Sequence, residues 1–298
     1  MQHVPKVDTR VPARPLGLHQ ITAVEAAPPE LVSIAAAVGC QEVCVFTNIP
    51  NLEGGDTAAP PPFPLVTEGN RAELVARLRD SGVRVANIEF FSLTPGLDVE
   101  SYRHALALGA ELGARCAVTH IMDPDKSRIV DQLGRLADIA AQYSLDVALE
   151  FMGLSPACNS LGRAVELVRQ VRRRNTGIAV DLLHLVRTGG VPADVAELPA
   201  ELIKYAQLCD GAAMGATADY LDEALHARMV PGAGCFPVRE FLNALPAHLP
   251  IDIEVPRMAL QRAGVPALER AREAVAASRH LFTPGAQQRN PIPNRRPQ

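Results

Sequence analysis

Three carboxylates and one amide stand at or near the ends of four consecutive apolar runs. These residues are Glu150 in DVALE, Asp181 in GIAVD, Gln207 in KYAQLCD and Glu254 in PIDIEV. Ionised carboxylates in apolar surroundings are costly, and carboxylates brought close together raise one another's pKa. A divalent cation removes both problems. Because all four side chains offer oxygen, the set suits Mg²⁺ or Mn²⁺ better than zinc or copper.

Any one of these acids could instead cap a helix N-terminus or pair with an arginine. The joint placement of three acids and an amide favours the metal. Further polar residues end or lie within the earlier apolar runs, namely Glu89 in the third, His120 in the fourth and His19 in the first. We expect them to contact a substrate, the alternatives being hydrogen bonds at the rim for Glu89 and a place in the packed interior for His19.

The elements that position these residues alternate about eight times between an apolar run of strand length and a longer helical stretch. The apolar runs span 17–22, 42–46, 84–90, 116–120, 146–150, 177–181, 204–210 and 250–255. Most are continuous, as in parallel strands covered on both faces. The alternation predicts an α/β fold, a closed (β/α)8 TIM barrel. An open doubly wound sheet is the alternative, but its GxGxxG fingerprint is missing after the first run.

The helical stretches carry their own start and stop signals. In the stretch 129–143, apolar residues from Ile129 to Ile139 recur at helical spacing and share one face. Gly39 and Gly82 each follow a helical pattern and can take the left-handed conformation that closes a helix.

Both ends of the chain read as extensions, since neither is periodic and both are rich in proline or polar residues. We therefore predict an N-terminal extension at 1–15, a single catalytic barrel at 16–282 and a flexible tail at 283–298. Three long connections follow predicted strand ends, where barrel enzymes build their sites. They span 47–68, 182–198 and 211–236. The first, with five prolines, is either a lid or a stiff surface loop.

Composition excludes several classes of function. The chain has 33 acidic against 29 basic residues in a total of 298, so nucleic acid and anionic membrane are not expected partners. It contains no apolar run near the roughly 20 residues of a membrane span, and its first residues carry no apolar signal core. Six cysteines without a CxxC pair indicate small buried side chains in a reducing compartment, and we predict a cytoplasmic protein.

Five short motifs in the second half carry a family resemblance. They are LEFMG at 149–153, VDLLHLVRTGG at 180–190, QLCDG at 207–211, RMVPGAG at 228–234 and IEVPR at 253–257. Because these motifs occur in this order, the chain resembles the xylose isomerase-like TIM-barrel superfamily of sugar phosphate isomerases and epimerases. The resemblance extends over residues 16 to about 282. The resemblance implies a metal bound at the ends of strands five to eight, through Glu150, Asp181, Gln207 and Glu254.

One position departs from the common pattern. Most sugar isomerases and epimerases of this kind have histidine where this chain has Gln207, and glutamine there is similar to the 3-dehydroshikimate dehydratase branch. The resemblance further implies that His184 faces the substrate and that Arg228 approaches its polar or anionic groups. Arg257 is expected either to meet a carboxylate or phosphate of the substrate or to lie in solvent.

We therefore predict an enzyme of carbohydrate metabolism that isomerises or epimerises a small hydroxylated carbonyl compound through a metal-stabilised enediolate. Glu150 and Glu254 are the expected acid/base pair, with His184 assisting. The expected ion is Mn²⁺ or Mg²⁺, with Co²⁺ or Zn²⁺ as alternatives. A dehydratase that expels water after the same enolisation is the alternative activity, and a non-catalytic binding barrel is a third. Assembly into a dimer or tetramer stays open.

Overall fold

Eight parallel strands close into a barrel in chain order. The computed structural model describes residues 14–49, 63–213 and 219–282. The strands are β1 (Leu16–Leu18), β2 (Glu42–Phe46), β3 (Arg84–Leu93), β4 (Cys116–Ile121), β5 (Asp146–Glu150), β6 (Thr176–Asp181), β7 (Ile203–Leu208) and β8 (Ile251–Ile253). The last strand pairs with the first, from Leu16 opposite Ile251 to Leu18 opposite Ile253, and the predicted (β/α)8 barrel is confirmed.

Helices connect the strands on the outside. They are α1 (Pro28–Val38), α2 (Glu68–Ser81), α3 (Arg103–Glu111), α4 (Lys126–Ala141), α5 (Leu161–Val171), α6 (Leu182–Arg187), α7 (Pro192–Ala196), α8 (Tyr220–His226), α9 (Val238–Ala244), α10 (Met258–Arg262) and α11 (Ala267–Phe282). None of these helices combines the length and the apolar character needed to cross a membrane.

The main apolar core lies between the strands and the helices. Helix α4 shows how the sequence builds it, because Ile129, Leu133 and Leu136 are fully buried on one face, as predicted. Each such side chain contributes about 1.5–3 kcal/mol relative to exposure. The predicted stops are also confirmed, since Gly39 and Gly82 have φ values of 77° and 70° and cap α1 and α2.

The first strand is shorter than the predicted run of 17–22. It ends at Leu18, and a 3-10 turn follows at Gln20–Ala23. The His19 side chain causes the change of direction, because its Nδ1 accepts a hydrogen bond from the backbone N–H of Ile21 at 3.2 Å. A side-chain cap of this kind competes with continued strand pairing.

Two of the predicted long connections contain short helices that periodicity did not indicate. Helices α6 and α7 lie within 182–198, and α8 lies within 211–236. Helices of five to seven residues are too short to display a periodic face. Several predicted segments lie outside the described residues. They are the N-terminal extension apart from residues 14–15, the C-terminal tail, and residues 50–62 of the connection 47–68, which was expected to be either a lid or a stiff surface loop.

Candidate active site

A cavity of about 720 Å³ opens at the carboxyl ends of the strands. Polar residues from different segments form its deep part, namely Glu89, His120, Glu150, His184, Gln207, Arg228 and Glu254. All of them are at least 95% buried. The barrel therefore brings together residues that are widely separated along the chain, at the end where barrel enzymes carry their sites.

The strand ends place two of the predicted acids beside His184. Glu150 is the last residue of β5 and Asp181 the last residue of β6, and ligand atoms of both and of His184 lie within 4.8 Å of one another. Asp181 also caps α6, since its Oδ1 accepts the backbone N–H groups of Leu183 and His184 at 2.6 and 3.2 Å. That capping directs the first turn of α6, and hence His184, toward Glu150.

Arg228 links Asp181, at the end of β6, to Glu254, which directly follows β8. Its Nη1 lies 2.5 Å from Asp181 Oδ2 and its Nη2 lies 3.0 Å from Glu254 Oε1. Its Nε donates to the carbonyl oxygen of Ala224 at 2.9 Å. Burial acts to raise the pKa of Asp181, but the adjacent guanidinium overcomes it and lowers that pKa to about 2. Asp181 and Glu254 therefore pair with an arginine, as the alternative to metal binding predicted for any one of the acids.

Arg228 does not satisfy the whole group. Buried Gln207 Oε1 and Glu254 Oε2 have no hydrogen-bond partner among the described residues. Burial, together with Asp181 and Glu150, raises the pKa of Glu254 well above its ordinary value despite Arg228. Three carboxylates and one guanidinium leave two negative charges when all are ionised, which one divalent cation balances. The unpartnered oxygens and the oxygen-rich donor set fit such an ion.

Two histidines flank Glu150. His120 Nε2 lies 2.5 Å from Glu150 Oε2, and His184 Nε2 lies 3.6 Å from Glu150 Oε1. Burial acts against charge on His120, but its hydrogen bond to Glu150 and the nearby carboxylates raise its pKa. Burial lowers the pKa of His184, so this ring is held neutral. The two rings thus have different charge preferences on either side of one carboxylate.

Tyr220 orients His184, and nothing in the sequence patterns pointed to it. Its hydroxyl lies 2.5 Å from His184 Nδ1 and accepts the backbone N–H of Gly153 at 3.1 Å. The hydroxyl hydrogen is therefore left for Nδ1, which makes Nε2 the protonated nitrogen of the neutral ring. A Cβ on Gly153 would lie 2.9 Å from the Tyr220 ring, so the glycine permits this approach.

Helix α8 is fixed beside α6 by a second contact. Arg187 of α6 and Glu223 of α8 form an ion pair at 2.6 Å, and both side chains are at least 92% buried. Buried pairs of this kind hold geometry even where their net stabilisation is small. The pair supports the distance between Tyr220 and His184.

Glu89 and His19 meet on the opposite side of the barrel. His19 Nε2 forms an ion-pair contact with Glu89 Oε1 at 3.1 Å, and the same oxygen accepts a hydrogen bond from Asn87 Nδ2 at 3.0 Å. His19, Cys44 and Glu89 form a second group of residues that could hold a metal ion, because their ligand atoms all lie within 4.8 Å of one another. Burial raises the pKa of the Cys44 thiol. Burial opposes charge on His19, but Cys44, Glu89 and Glu254 raise the pKa of its ring well above the ordinary value. This arrangement suits an ion-pair partner that supports Glu89.

Asp210 clamps the loop that follows Arg228. Its two carboxylate oxygens accept four backbone N–H groups at 2.8–3.0 Å, from Gly211, Gly232, Gly234 and Phe236. A Cβ on Gly234 would collide with the Gly211 carbonyl oxygen and with Asp210 itself. The PGAG sequence therefore serves close backbone packing, which keeps Arg228 at its place near β6 and β8.

The predicted substrate contacts fall into two sets. Glu89, His120 and Arg228 line the cavity, whereas His19 and Arg257 are absent from its lining among the described residues. Arg257 Nη1 pairs with Glu273 at 2.5 Å. The roles of these residues toward a substrate stay predictions.

The rim of the cavity is apolar. Met122, Leu154 and Leu221 line it and are 37%, 37% and 47% exposed. Phe63 and Phe90 also line it, and both rings pack on the ring of Phe46, with centroids 5.5 and 5.0 Å apart. The low aromatic content of the chain gave no indication that three of its eight phenylalanines gather beside the site.

Comparison with known proteins agrees with this architecture. The 3-dehydroshikimate dehydratase of Pseudomonas aeruginosa is 31% identical over 130 residues, covering 43% of this chain and 20% of that protein. The inosose isomerase of Bacillus subtilis is 41% identical over 66 residues, covering 22% of this chain and 23% of that protein. The chain thus aligns with only about a fifth to a quarter of the length of these relatives.

Solved structures share the fold at low identity. The IOLI protein with a bound zinc atom superimposes with a TM-score of 0.71 at 18% identity, over 90% of this chain and 98% of that one. D-allulose 3-epimerase from Methylomonas sp. gives a TM-score of 0.64 at 16% identity, over 91% of this chain and 99% of that one. The family model described as xylose isomerase-like TIM barrel matches residues 32–281. Together with the closed eight-stranded barrel, that match shows that the chain belongs to the xylose isomerase-like TIM-barrel family.

Proposed function

We propose that this protein is a divalent-metal-dependent isomerase or epimerase of a small hydroxylated carbonyl compound. The observation that carries the proposal is that Glu150, Gln207 and Glu254 line one cavity, where Gln207 Oε1 and Glu254 Oε2 lack hydrogen-bond partners among the described residues. Asp181 lies beside them, with a ligand atom within 4.8 Å of one on Glu150. Enzymes named isomerase, epimerase and dehydratase among the relatives and structural neighbours support the general class.

Glu150, Asp181, Gln207 and Glu254 would hold the ion. The oxygen donors favour Mn²⁺ or Mg²⁺, whereas the zinc atom in the related IOLI protein makes Zn²⁺ the alternative to test first. A bound divalent ion supplies Lewis acidity toward a substrate carbonyl and makes the adjacent carbon acidic.

The chain's own residues would then move the proton. Glu254 is the residue that would take a proton from the substrate carbon. Glu150 would serve the opposite direction, with His120 fixing its Oε2. His184 would donate a hydrogen bond from Nε2 to a substrate oxygen, because Tyr220 occupies its Nδ1. Glu89, His120 and Arg228 would contact or surround the substrate from the walls.

A dehydratase is the second candidate, and Gln207 favours it. The amide stands where the 3-dehydroshikimate dehydratase branch has glutamine, and a dehydratase of that name is 31% identical over part of the chain. Both reactions begin with removal of a proton beside a carbonyl. They differ in whether a β-hydroxyl then leaves.

Exchange of substrate hydrogen with solvent tests the shared first step. The full-length protein is stripped with a chelator, reloaded with Mn²⁺, Mg²⁺, Co²⁺ or Zn²⁺, and incubated in D₂O with an inosose, a ketohexose or 3-dehydroshikimate. Metal-dependent deuterium uptake beside the carbonyl, measured by mass spectrometry, is the expected result. Loss of water identifies the dehydratase, and a repositioned carbonyl or inverted centre identifies the isomerase or epimerase.

Matched variants assign the step to the site. We expect Glu254→Gln to slow exchange by at least a hundredfold, within the range of general acid–base effects. Glu197 is an exposed glutamate directly after α7. The variant Glu197→Gln is the control, and it should catalyse deuterium exchange at the wild-type rate. Metal binding without deuterium uptake by any of the three compounds would refute the enzymatic proposal and leave a non-catalytic binding barrel.

A further inference from the structure

The cavity changes character with depth. Its deep residues are ionisable or amide side chains that are at least 95% buried, whereas Met122, Leu154 and Leu221 at the rim are 37–47% exposed. These three are among only five large apolar residues that are exposed in the described part of the chain. Exposed apolar side chains that gather around one opening mark a binding surface.

The size of the cavity leaves room beyond a small polyol. Its volume of about 720 Å³ equals roughly 24 waters at about 30 Å³ each, whereas a six-carbon keto compound has about twelve non-hydrogen atoms. A ligand whose carbonyl end reaches the deep carboxylates therefore leaves the apolar rim uncovered unless it carries a further group.

Among the described residues that line the cavity, no lysine or arginine is free to receive an anionic group, and His120 is engaged by Glu150. Arg228 is the one arginine or lysine among those residues, and its three nitrogen positions are engaged by Asp181, Glu254 and Ala224. A phosphate or carboxylate at the rim would lose water without gaining a charged partner, which is costly.

The structure assigns to this site a substrate class narrower than the proposed function requires. We infer that the substrate is an uncharged hydroxy-ketone that carries an apolar substituent, with the carbonyl end among the deep carboxylates and the substituent against Phe63, Phe90, Met122, Leu154 and Leu221. The inference rests on the proposed function for the orientation of the carbonyl end. It predicts that ligand preference is set by apolar contact at the rim rather than by charge recognition.

Three ligands that share one ring test the inference. They are an inosose, the same inosose with an O-benzyl group opposite the carbonyl, and the same inosose with a phosphate at that position. Dissociation constants are measured by isothermal titration calorimetry on the full-length protein, both chelator-treated and Mn²⁺-loaded. We expect the benzyl ether to bind at least tenfold more tightly than the parent and the phosphate at least tenfold more weakly.

Rim variants locate the effect. Met122→Ser should reduce the preference for the benzyl ether over the parent at least threefold. Met122→Arg should tighten phosphate binding at least tenfold, because it supplies the missing cation. Val75→Ser on α2 removes an exposed valine outside the cavity and should leave all three constants unchanged.

Benzyl and parent compounds that bind within threefold of each other would overturn the inference. So would wild-type protein that binds the phosphate as tightly as the parent, rim variants that keep the full benzyl preference, or failure of all three compounds to bind. The proposed function fails on a different measurement, which is the absence of deuterium exchange in metal-loaded protein. Exchange without the benzyl preference therefore refutes the inference alone.

Discussion

Removing the hydroxyl of Tyr220 tests how this site controls the proton on His184. That hydroxyl lies 2.5 Å from His184 Nδ1 and accepts the Gly153 N–H at 3.1 Å. In Tyr220→Phe the aromatic ring stays, whereas Nδ1 loses its donor. We expect the hydrogen of the neutral His184 ring, which Tyr220 confines to Nε2, to distribute over both nitrogens.

The two lost hydrogen bonds differ in cost. The Gly153 N–H is exposed and water replaces its partner, so that loss contributes about 0.5 kcal/mol. His184 is 96% buried, and loss of the donor to Nδ1 costs about 1–2 kcal/mol. At about 1.4 kcal/mol per tenfold, the preference for the Nε2–H tautomer should fall roughly tenfold, and unfolding free energy should fall by about 1.5–2.5 kcal/mol.

Selective ¹⁵N labelling of histidine reads the tautomer directly, with His184→Gln assigning the resonance. In the wild type we expect Nδ1 to show the shift of an unprotonated nitrogen, and in Tyr220→Phe both shifts should move toward an average. Tyr102→Phe is the control, because it removes another buried hydroxyl, bound to the Ser92 carbonyl at 2.6 Å. Unchanged His184 shifts in Tyr220→Phe, or equal changes in the control, would refute the reasoning.

Three further predictions concern stability and metal. Asp210→Asn should lower the unfolding free energy by about 2–3 kcal/mol in urea, because a charged acceptor of four backbone N–H groups becomes neutral. Glu42→Gln should cost about 1–2 kcal/mol at pH 7, since Glu42 accepts from Arg84 and Arg115. Burial acts to raise the pKa of Glu42, but these arginines lower it below its ordinary value, so the contribution of Glu42 to stability should disappear as pH falls through the folded-state pKa. Mn²⁺ at a hundred times its Kd should stabilise the wild type by about 2.7 kcal/mol, and Gln207→Leu should weaken Mn²⁺ binding in calorimetry.

Each of these predictions has a contrary result. Asp210→Asn with wild-type urea unfolding would show that the loop after Arg228 does not depend on the clamp. A stability difference between wild type and Glu42→Gln that stays the same from pH 7 to the lowest pH at which the protein is folded would contradict the depressed pKa. An equal Mn²⁺ affinity in Gln207→Leu would remove the amide from the metal site.

The barrel was predictable because its signals are local and repeated. Continuous apolar runs separated by helical stretches identify covered parallel strands, and the ends of those runs also place Glu150 and Asp181 at the same edge. His19 shows the limit of such patterns. A side chain that caps a turn and a side chain that continues a strand look alike in an apolar run, and only the hydrogen bond to Ile21 separates them.

Long-range partners were beyond the sequence patterns. Tyr220 is 36 residues from His184, and no spacing rule relates a tyrosine in a seven-residue helix to a histidine on another connection. Arg228 was expected near the substrate, but its pairing with Asp181 and Glu254 depends on a loop held by Asp210. The apolar rim was missed for a similar reason, because each connection contributes only one or two of its residues.

Tyr220 and Leu221 are neighbours on α8, and the Tyr220 hydroxyl also holds Gly153 in the segment that leads to Leu154. A library of variants at Leu154 or Leu221 would therefore change ligand fit and the orientation of His184 at the same time. Met122 and Pro95 belong to other connections of the rim. Redesign of specificity should begin at those two positions, where a new contact with the ligand least disturbs the proton chemistry.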